Sequence, residues 1–452
     1  MSLIHGWVPV TVQVITAVVL VVAIGWRSRR WRVISVPVAL FVGVALTAAV
    51  FWFIEDRRLA DDPAPLGLWV WITLTGLAAV VVVLGWRDVP WWRRGVSVLA
   101  VPLCVLCTAL TVNVWVGYFP TVETAWDRMT GAPLLGQTDR ATVAALQQQH
   151  RQPDWRTIVS VRIPDRASGF KHRDELVLLP PAWYASTPPP PLPVVMMLGG
   201  EFGNPAAWLY AGDAQSTIVD FAAGHGGNAP VLVFPDSAGT FSNDTECVNG
   251  VRGNAADHLT KDVVPYIISN FGVSRDPANW GIVGWSSGGT CALTLSVMHP
   301  ELFRAFVDID GQLGPTAGTK QQTIARLFGG DADAWAAFDP RTVIAKHGAY
   351  SGVSGWFAVS VDTATVYRAP TATGPLPADN TDPNSEDHAA IANILCQSAS
   401  SHGIECAVVS NPGKHDFPSA ASEFAAALPW LAGKLGTPGV PPIAMPGAPP
   451  PR

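Results

Sequence analysis

Gly284-Trp285-Ser286-Ser287-Gly288 sets a serine two residues from a glycine on either side, where an apolar run, Trp280–Val283, gives way to a helix-forming stretch, Gly288–Met298. A strand-to-helix turn that tight admits only small flanking residues and pushes its central side chain outward. The amides and positive dipole end of the helix behind it suit an oxyanion. Ser286 is therefore the candidate nucleophile, and the chemistry is attack on a carbonyl carbon. The plainer reading of the same residues is a tight turn with a capping serine. A second Gly-rich turn, Gly199-Gly200-Glu201-Phe202, follows the apolar run Val194–Leu198. In a fold that uses such an elbow, this loop donates the other oxyanion N–H, so the Glu201 and Ser287 amides form the candidate pair.

A serine nucleophile needs a base and an acid, which follow it in the order Ser, acid, His. Of ten histidines, His415 fits, because Gly413-Lys414-His415-Asp416-Phe417 comes after the last strand-like run and before the final helical one. His347, His388 and His402 are expected on the surface. The acid stays open. Glu386 lies 29 residues before His415, room for one helix and one strand. Asp362 ends the run Trp356–Val361, Asp387 opens the next helix, and Asp310 follows the preceding strand.

Those positions need a frame of short buried strands and helices. Thr157–Ile163 and Glu175–Leu179 alternate or run apolar like strands, and Thr187–Pro193 is a Pro-rich turn. From there Val194–Leu198, Val231–Phe234, Trp280–Val283, Ala305–Ile309, Trp356–Val361 and Ala407–Ser410 read as buried parallel strands. Helical stretches at Ala255–Asn270, Gly288–Met298, His388–Ser401 and Ala420–Lys434 stand between and after them. The alternation predicts an α/β fold with a doubly wound, mostly parallel sheet over 155–435. Residues 121–154 read as a connector ending in a helix, Asp139–Gln152, and 436–452 as a Pro-rich disordered tail.

Residues 1–120 are different in kind. Hydrophobic residues make up 49% of the chain and charged ones only 14%. The excess sits in four uncharged runs, Trp7–Trp26, Val33–Ile54, Leu66–Trp86 and Gly95–Phe119. Each run holds roughly 20 residues or more, enough at about 1.5 Å per residue for a hydrocarbon core of about 30 Å. An all-α domain of four transmembrane helices is expected, in a multi-pass protein of the cell membrane. The first connecting loop carries Arg27, Arg29, Arg30 and Arg32 and the third Arg87, Arg93 and Arg94. The second sets Arg57 and Arg58 against Glu55, Asp56, Asp61 and Asp62. The positive-inside bias makes loops one and three cytoplasmic and everything after Phe119 extracytoplasmic. Beyond residue 120 there are 20 basic and 30 acidic residues, which argues against nucleic acid as a partner.

Cysteine usage agrees with an oxidising compartment. Cys104 and Cys107 lie in the fourth run as packing residues, while Cys247, Cys291, Cys396 and Cys406 form an even set in the polar part. Four cysteines allow three connectivities. The expected pairs are Cys247–Cys291, a loop above the strand ends joined to the elbow helix, and Cys396–Cys406, a helix end joined to the next strand. Neither a zinc-spaced CxxC pair nor HExxH occurs, so no metal and no cofactor is expected.

Residues of about 155–435 resemble the esterase D group of α/β-hydrolases, and within it the antigen 85 mycolyltransferases. Val194–Gly200, Gly284–Gly289 and Gly413–Phe417 carry the resemblance. It implies a Glu on the helix after the penultimate strand as triad acid, which favours Glu386. The oxyanion loop departs: the mycolyltransferases read Asp-Gly-Leu-Arg, gripping trehalose, where this chain has Gly199, Gly200, Glu201 and Phe202. The activity implied is acyl transfer from an ester, to water in an esterase or to an alcohol in an acyltransferase. The four spans point to the lipid bilayer as a partner and to a lipid-linked, cell-envelope or glycolipid ester as substrate. A mycolyltransferase using a trehalose ester and an inactive hydrolase-fold scaffold for envelope proteins are the alternatives. A transporter is disfavoured, since the spans hold no Asp, Glu, Lys or Arg.

Overall fold

A computed structural model describes residues 1–25, 27–57, 63–87, 89–149, 157–361 and 387–447. The chain divides into two units, Met1–Ala132 and Pro133–Arg452.

The first unit consists of α1 (Trp7–Ile24), α2 (Val36–Arg57, entered through a π turn at Trp31–Ser35), α3 (Leu66–Leu84) and α4 (Trp91–Val116). All four are long and apolar enough to cross a membrane. Helix α1 packs on α4, α4 on α3 and α3 on α2. At the α2–α3 contact a Cβ on Gly76 would stand 2.8 Å from the Gly43 Cα, so the two backbones touch. The Thr47 and Thr73 hydroxyls meet at 2.7 Å across the same contact. Small residues and hydroxyl bonds are how helices associate when apolar burial gives no advantage over lipid. Outward-facing Val21, Phe41 and Trp52 remain exposed. A further helix, Val122–Thr130, belongs to this unit, and the Met1 amine binds Glu123 at 2.8 Å.

The second unit is built on a sheet whose described strands number nine: β1 (Gln137–Thr138), β2 (Thr157–Val161), β3 (Glu175–Leu179), β4 (Val194–Leu198), β5 (Val231–Phe234), β6 (Trp280–Trp285), β7 (Ala305–Ile309), β8 (Ser354–Val361) and β9 (Glu405–Pro412). Their order is β1-β2-β3-β5-β4-β6-β7-β8-β9. Strand β3 runs antiparallel to β2 and β5, and every other pairing is parallel. The expected doubly wound α/β sheet is present. The five strands from β3 to β7 are mostly apolar runs with no exposed residue, because helices cover both faces. The register aligns Leu198 with Gly284 and Gly284 with Asp308, so the loops after β4, β6 and β7 open side by side at one carboxyl edge. The elbow helix α5 (Ser287–Met298), α6 (His388–Ser401) and α7 (Phe417–Lys434) follow β6, β8 and β9.

Several boundaries differ from expectation. The connector 121–154 is split between the units, with Val122–Thr130 in the first and β1 and a helix at Arg140–Gln148 in the second. Helix Ala255–Asn270 is interrupted by a π turn at His258–Val263. Polar helices at Lys320–Phe328, Ala332–Ala336 and Pro340–His347 went unread because their apolar faces are short. The tail is ordered where described: Val440 and Met445 are buried, and a Cβ on Gly433 would stand 2.6 Å from the Pro441 carbonyl oxygen. Two buried apolar side chains sufficed to hold a segment whose composition read as disordered.

Both expected disulfides are present, Cys247–Cys291 with Cα atoms 5.8 Å apart and Cys396–Cys406 at 5.9 Å. The first ties a surface loop to α5, and each closure is worth about 2–4 kcal/mol. Cys104 and Cys107 are unpaired and buried in α4.

Candidate active site

Ser286 sits between β6 and α5 at φ 58°, ψ −128°, a conformation that costs an L-residue about 1–3 kcal/mol. Hydrogen bonds hold it there. The Ser286 amide donates to the Ile309 carbonyl at 2.9 Å, and the Gly289 and Thr290 amides donate to the Ser286 carbonyl at 2.8 and 3.1 Å. Gly284 cannot be replaced, because a Cβ there would collide with the Gly288 carbonyl oxygen. The elbow expected from the pentapeptide is thus formed.

The loop after β4 packs directly on this turn. A Cβ on Gly200 would lie 3.0 Å from the Ser286 Cβ. Glu201 and Ser287 line one small pocket of about 20 Å³, together with Gly199, Gly200, Thr245 and Cys247. Ser287 opens α5, and a first-turn amide has no acceptor inside its own helix. His415 lies next to the elbow. It stands between β9 and α7, where Asp416 caps α7 by accepting from the Ser419 amide at 2.9 Å. The His415 ring lies 5.1 Å from that of Trp285, the residue before the nucleophile.

With this geometry the comparisons with known proteins agree. A family model described as "Putative esterase" matches residues 171–369. An uncharacterised protein of Corynebacterium glutamicum is 32% identical over 370 residues, covering 77% of this chain and 82% of its own length. The chain belongs to the esterase family of α/β-hydrolases. Among solved structures, an S-formylglutathione hydrolase from Agrobacterium tumefaciens aligns with 62% of this chain and 95% of its own, at 16% identity and TM-score 0.46. MPT51 of Mycobacterium tuberculosis aligns with 61% of this chain and 99% of its own, at 18% identity and TM-score 0.38.

The esterase domain treats the four acid candidates differently. Glu386 and Asp362 lie outside the described residues. Asp387 is exposed and caps α6, accepting from the Ala390 amide at 2.9 Å. Asp310 is buried at φ 49° just past β7, and its Oδ1 accepts from the Ser360 amide at 2.7 Å. Asp308 and Glu423 are buried beside it. Burial, then the Asp310 charge, pushes Asp308 up to about 7. Glu423 is pushed up to about 7 as well, chiefly by burial; the Asn411 hydrogen bond at 2.7 Å opposes this and the Asp310 charge adds to it.

One histidine corrects the reading. His388, expected on the surface, is buried and stacks on His415 with ring centroids 4.8 Å apart and planes at 13°. Its Nδ1 lies 3.3 Å from the Gly311 carbonyl oxygen. Helix α6 starts at the carboxyl edge of the sheet, so its first residue faces the site, and no periodicity in the sequence marks that.

Arg173 was also missed. Its Nη2 donates to the Gly203 carbonyl at 2.9 Å, at the end of the oxyanion loop. Its Nε and Nη2 make a forked pair with buried Asp236 at 2.9 and 2.7 Å, and Asp236 Oδ1 also accepts from the Ala238 and Gly239 amides. Arg173 thereby fixes two loops of the esterase site to each other. Next to it, His172, Glu175 and His258 offer ligand atoms within 4.8 Å of one another. Glu175 Oε1 and the ring nitrogens of both histidines are engaged in a hydrogen-bond network. Both His172 ring nitrogens face carbonyl oxygens, at 2.7 and 2.8 Å, and His258 bridges Glu175 at 2.9 Å and Asp262 at 3.4 Å. The cluster joins β3 to the π turn that carries His258 and Asp262.

Proposed function

We propose that this chain is a membrane-anchored serine esterase or acyltransferase that acts, outside the cytoplasmic membrane, on lipid-linked or cell-envelope esters. The observation that carries the reading is the strained Ser286 turn with the oxyanion loop packed on it and His415 beside it. Ser286 Oγ bonds to the ester carbonyl carbon while His415 takes its proton, and the Glu201 and Ser287 amides receive the oxyanion. Collapse expels the alcohol, which takes the proton from His415 and leaves an acyl-enzyme. Water or a second alcohol, deprotonated by His415, then releases the acyl group. A carboxylate, Glu386 in the first instance, orients the imidazole.

Two disulfides support the extracytoplasmic placement, since such pairs persist in oxidising compartments. Phe202 and Phe241, both exposed and with rings 5.4 Å apart beside the oxyanion loop, offer an apolar surface to an acyl chain. Anchoring fits such a substrate, because drawing an acyl chain into water costs about 0.8 kcal/mol per methylene.

Full-length protein in neutral detergent should label with a fluorophosphonate probe and hydrolyse short p-nitrophenyl esters. Ser286→Ala should abolish both while leaving the thermal midpoint in place, and Glu386→Gln should slow turnover more than Asp362→Asn. Absence of Ser286-dependent labelling and turnover would make the scaffold reading the better one.

A further inference from the structure

We propose that Arg27, Arg93 and Arg94, at one end of the four-helix unit, bind the phosphodiester headgroup of an anionic phospholipid. The inference rests on the membrane-anchored reading and on nothing in the catalytic site.

The three side chains converge where α1 and α3 end and α2 and α4 begin. Arg27 donates from Nη1 to the Gly85 carbonyl at 3.2 Å and from Nη2 to the Ala23 carbonyl at 3.0 Å, bridging the last turns of α3 and α1. Arg93 comes alongside: a Cβ on Gly25 would stand 3.3 Å from its Nη1. Burial first, and then the Arg93 charge, lower the Arg27 guanidinium from its ordinary value. All three are half-buried, whereas Arg29, Arg30 and Arg32 in the same region are exposed. The Nε atoms of Arg27, Arg93 and Arg94 are each buried with no hydrogen-bond partner. Among the described residues no carboxylate lies within 4.0 Å of any of them.

Gathering three guanidinium groups out of water with no carboxylate beside them among the described residues is costly, and each unmet donor adds to the cost. Helix α4 compounds it. Arg93 and Arg94 occupy its first turn, which has no acidic residue and no side-chain cap, so two cations sit at the positive end of a 26-residue helix. An anion placed there would meet the orphaned amides and the guanidinium forks together. The other end of the unit is arranged differently. There the Met1 amine pairs with Glu123 at 2.8 Å and Arg57 with Asp56 at 3.8 Å.

The surroundings identify the anion. Each arginine lies over an indole: Arg27 over Trp31 at 4.0 Å, Arg93 over Trp92 at 5.1 Å and Arg94 over Trp86 at 5.7 Å. Tryptophans at helix ends mark the level of lipid headgroups, and Arg clusters at that level recognise lipid phosphate. A phosphodiester with acyl chains fits the forks and indoles together. Free phosphate fits only the forks.

The test uses full-length protein in a neutral maltoside detergent, with phosphatidylglycerol, phosphatidylcholine or inorganic phosphate added. Thermal midpoint and native mass spectrometry of retained lipid are read. Phosphatidylglycerol should raise the midpoint and stay bound, and neither of the other two should. R93Q/R94Q should weaken retention about tenfold or more, as the loss of charge-assisted hydrogen bonds implies. R29Q/R30Q, which removes the same charge from exposed positions, should leave it unchanged. If R93Q/R94Q does not fold, R93K/R94K keeps the charge but loses the forks, and its retention should fall clearly below that of wild type. Equal response to the two lipids, a response to phosphate alone, equal loss in both glutamine pairs, or wild-type retention in the lysine pair would overturn the site. Protein that stays in solution without detergent would instead defeat the anchor on which the site rests.

Discussion

Asp236 and Asp308 are both buried carboxylates at the carboxyl edge of one sheet, on opposite sides of the elbow strand, yet their charges are handled in opposite ways. Burial pushes Asp236 up, but the Arg173 fork and the Gly239 amide outweigh it and hold the group below the usual carboxylate range. Its neighbours close the network, with Glu175 Oε1 accepting from the Asp236 amide at 3.0 Å and from His258 at 2.9 Å. Asp308 has no cation in such a fork. It feels the charge of Asp310, which Glu423 feels as well; among the described residues Asp308 Oδ1 and Asp310 Oδ2 have no hydrogen-bond partner, as Glu175 Oε2 has none in the first cluster. The first cluster pins the oxyanion loop in a fixed charge state. The second lies beside the His388–His415 stack and takes up a proton near neutrality. Pairing decides which behaviour burial produces.

Breaking the closed cluster should have the largest effect. Arg173→Met leaves Asp236 buried without its cation, a change that costs about 3–5 kcal/mol. It also releases the Gly203 carbonyl, so ester turnover should fall further than the folded fraction does. Adding Asp236→Asn should recover much of the stability but not the turnover, because the neutral pair still leaves the oxyanion loop unheld. Denaturant unfolding and turnover in detergent measure both. Single costs below about 1 kcal/mol would mean that the fork is ornamental.

Neutralising the open cluster should act the other way. Glu423 binds its proton more tightly folded, at about 7, than unfolded. The stability from that proton is therefore complete below the unfolded value, near 4.5, and is lost as pH rises to about 7. Glu423→Gln removes the loss. It should stabilise by about 2–3 kcal/mol at pH 8 and change little at pH 4.5, seen as a thermal midpoint that rises only in the alkaline sample. A midpoint shifted equally at both pH values would point to packing instead.

This contrast marks where the sequence was legible. The turn at Ser286, the glycines around it and the place of His415 before the last helix were readable because each depends on local chain geometry: a tight turn, a close approach, a place in chain order. Strands β3, β4, β5 and β7 matched residue for residue, since a strand buried on both faces is a bare apolar run. Arg173 and His388 were not readable. Their roles depend on β3 lying beside β5 and on where α6 begins, contacts between segments far apart in the chain. Polar residues paired across a fold leave no period behind, which is also why three arginines and three tryptophans at one end of the helical unit read only as loop charge.

The smallest expected effect concerns the acid limb of the closed cluster. Asp262 accepts from the Ala167 and Ser168 amides at 2.9 and 3.2 Å and faces His258 at 3.4 Å. Burial pushes its carboxyl up, but these bonds prevail and hold it below the ordinary range. A depressed carboxylate contributes stability that is present above its unfolded value and lost as pH falls through the folded one. His258 works in the opposite sense. Burial lowers it, Glu175 and Asp262 raise it further, and the stability it contributes is lost as pH rises past its raised value. Asp262→Asn keeps an acceptor for one amide and cannot ionise, so it should cost about 1 kcal/mol at pH 6. Between pH 5 and pH 3 its midpoint should fall less steeply than that of the wild type, and the two curves should converge at the acid end. Parallel curves would show that Asp262 gains no charge stabilisation from its amides and His258, leaving Asp236 as the depressed carboxylate that closes the cluster.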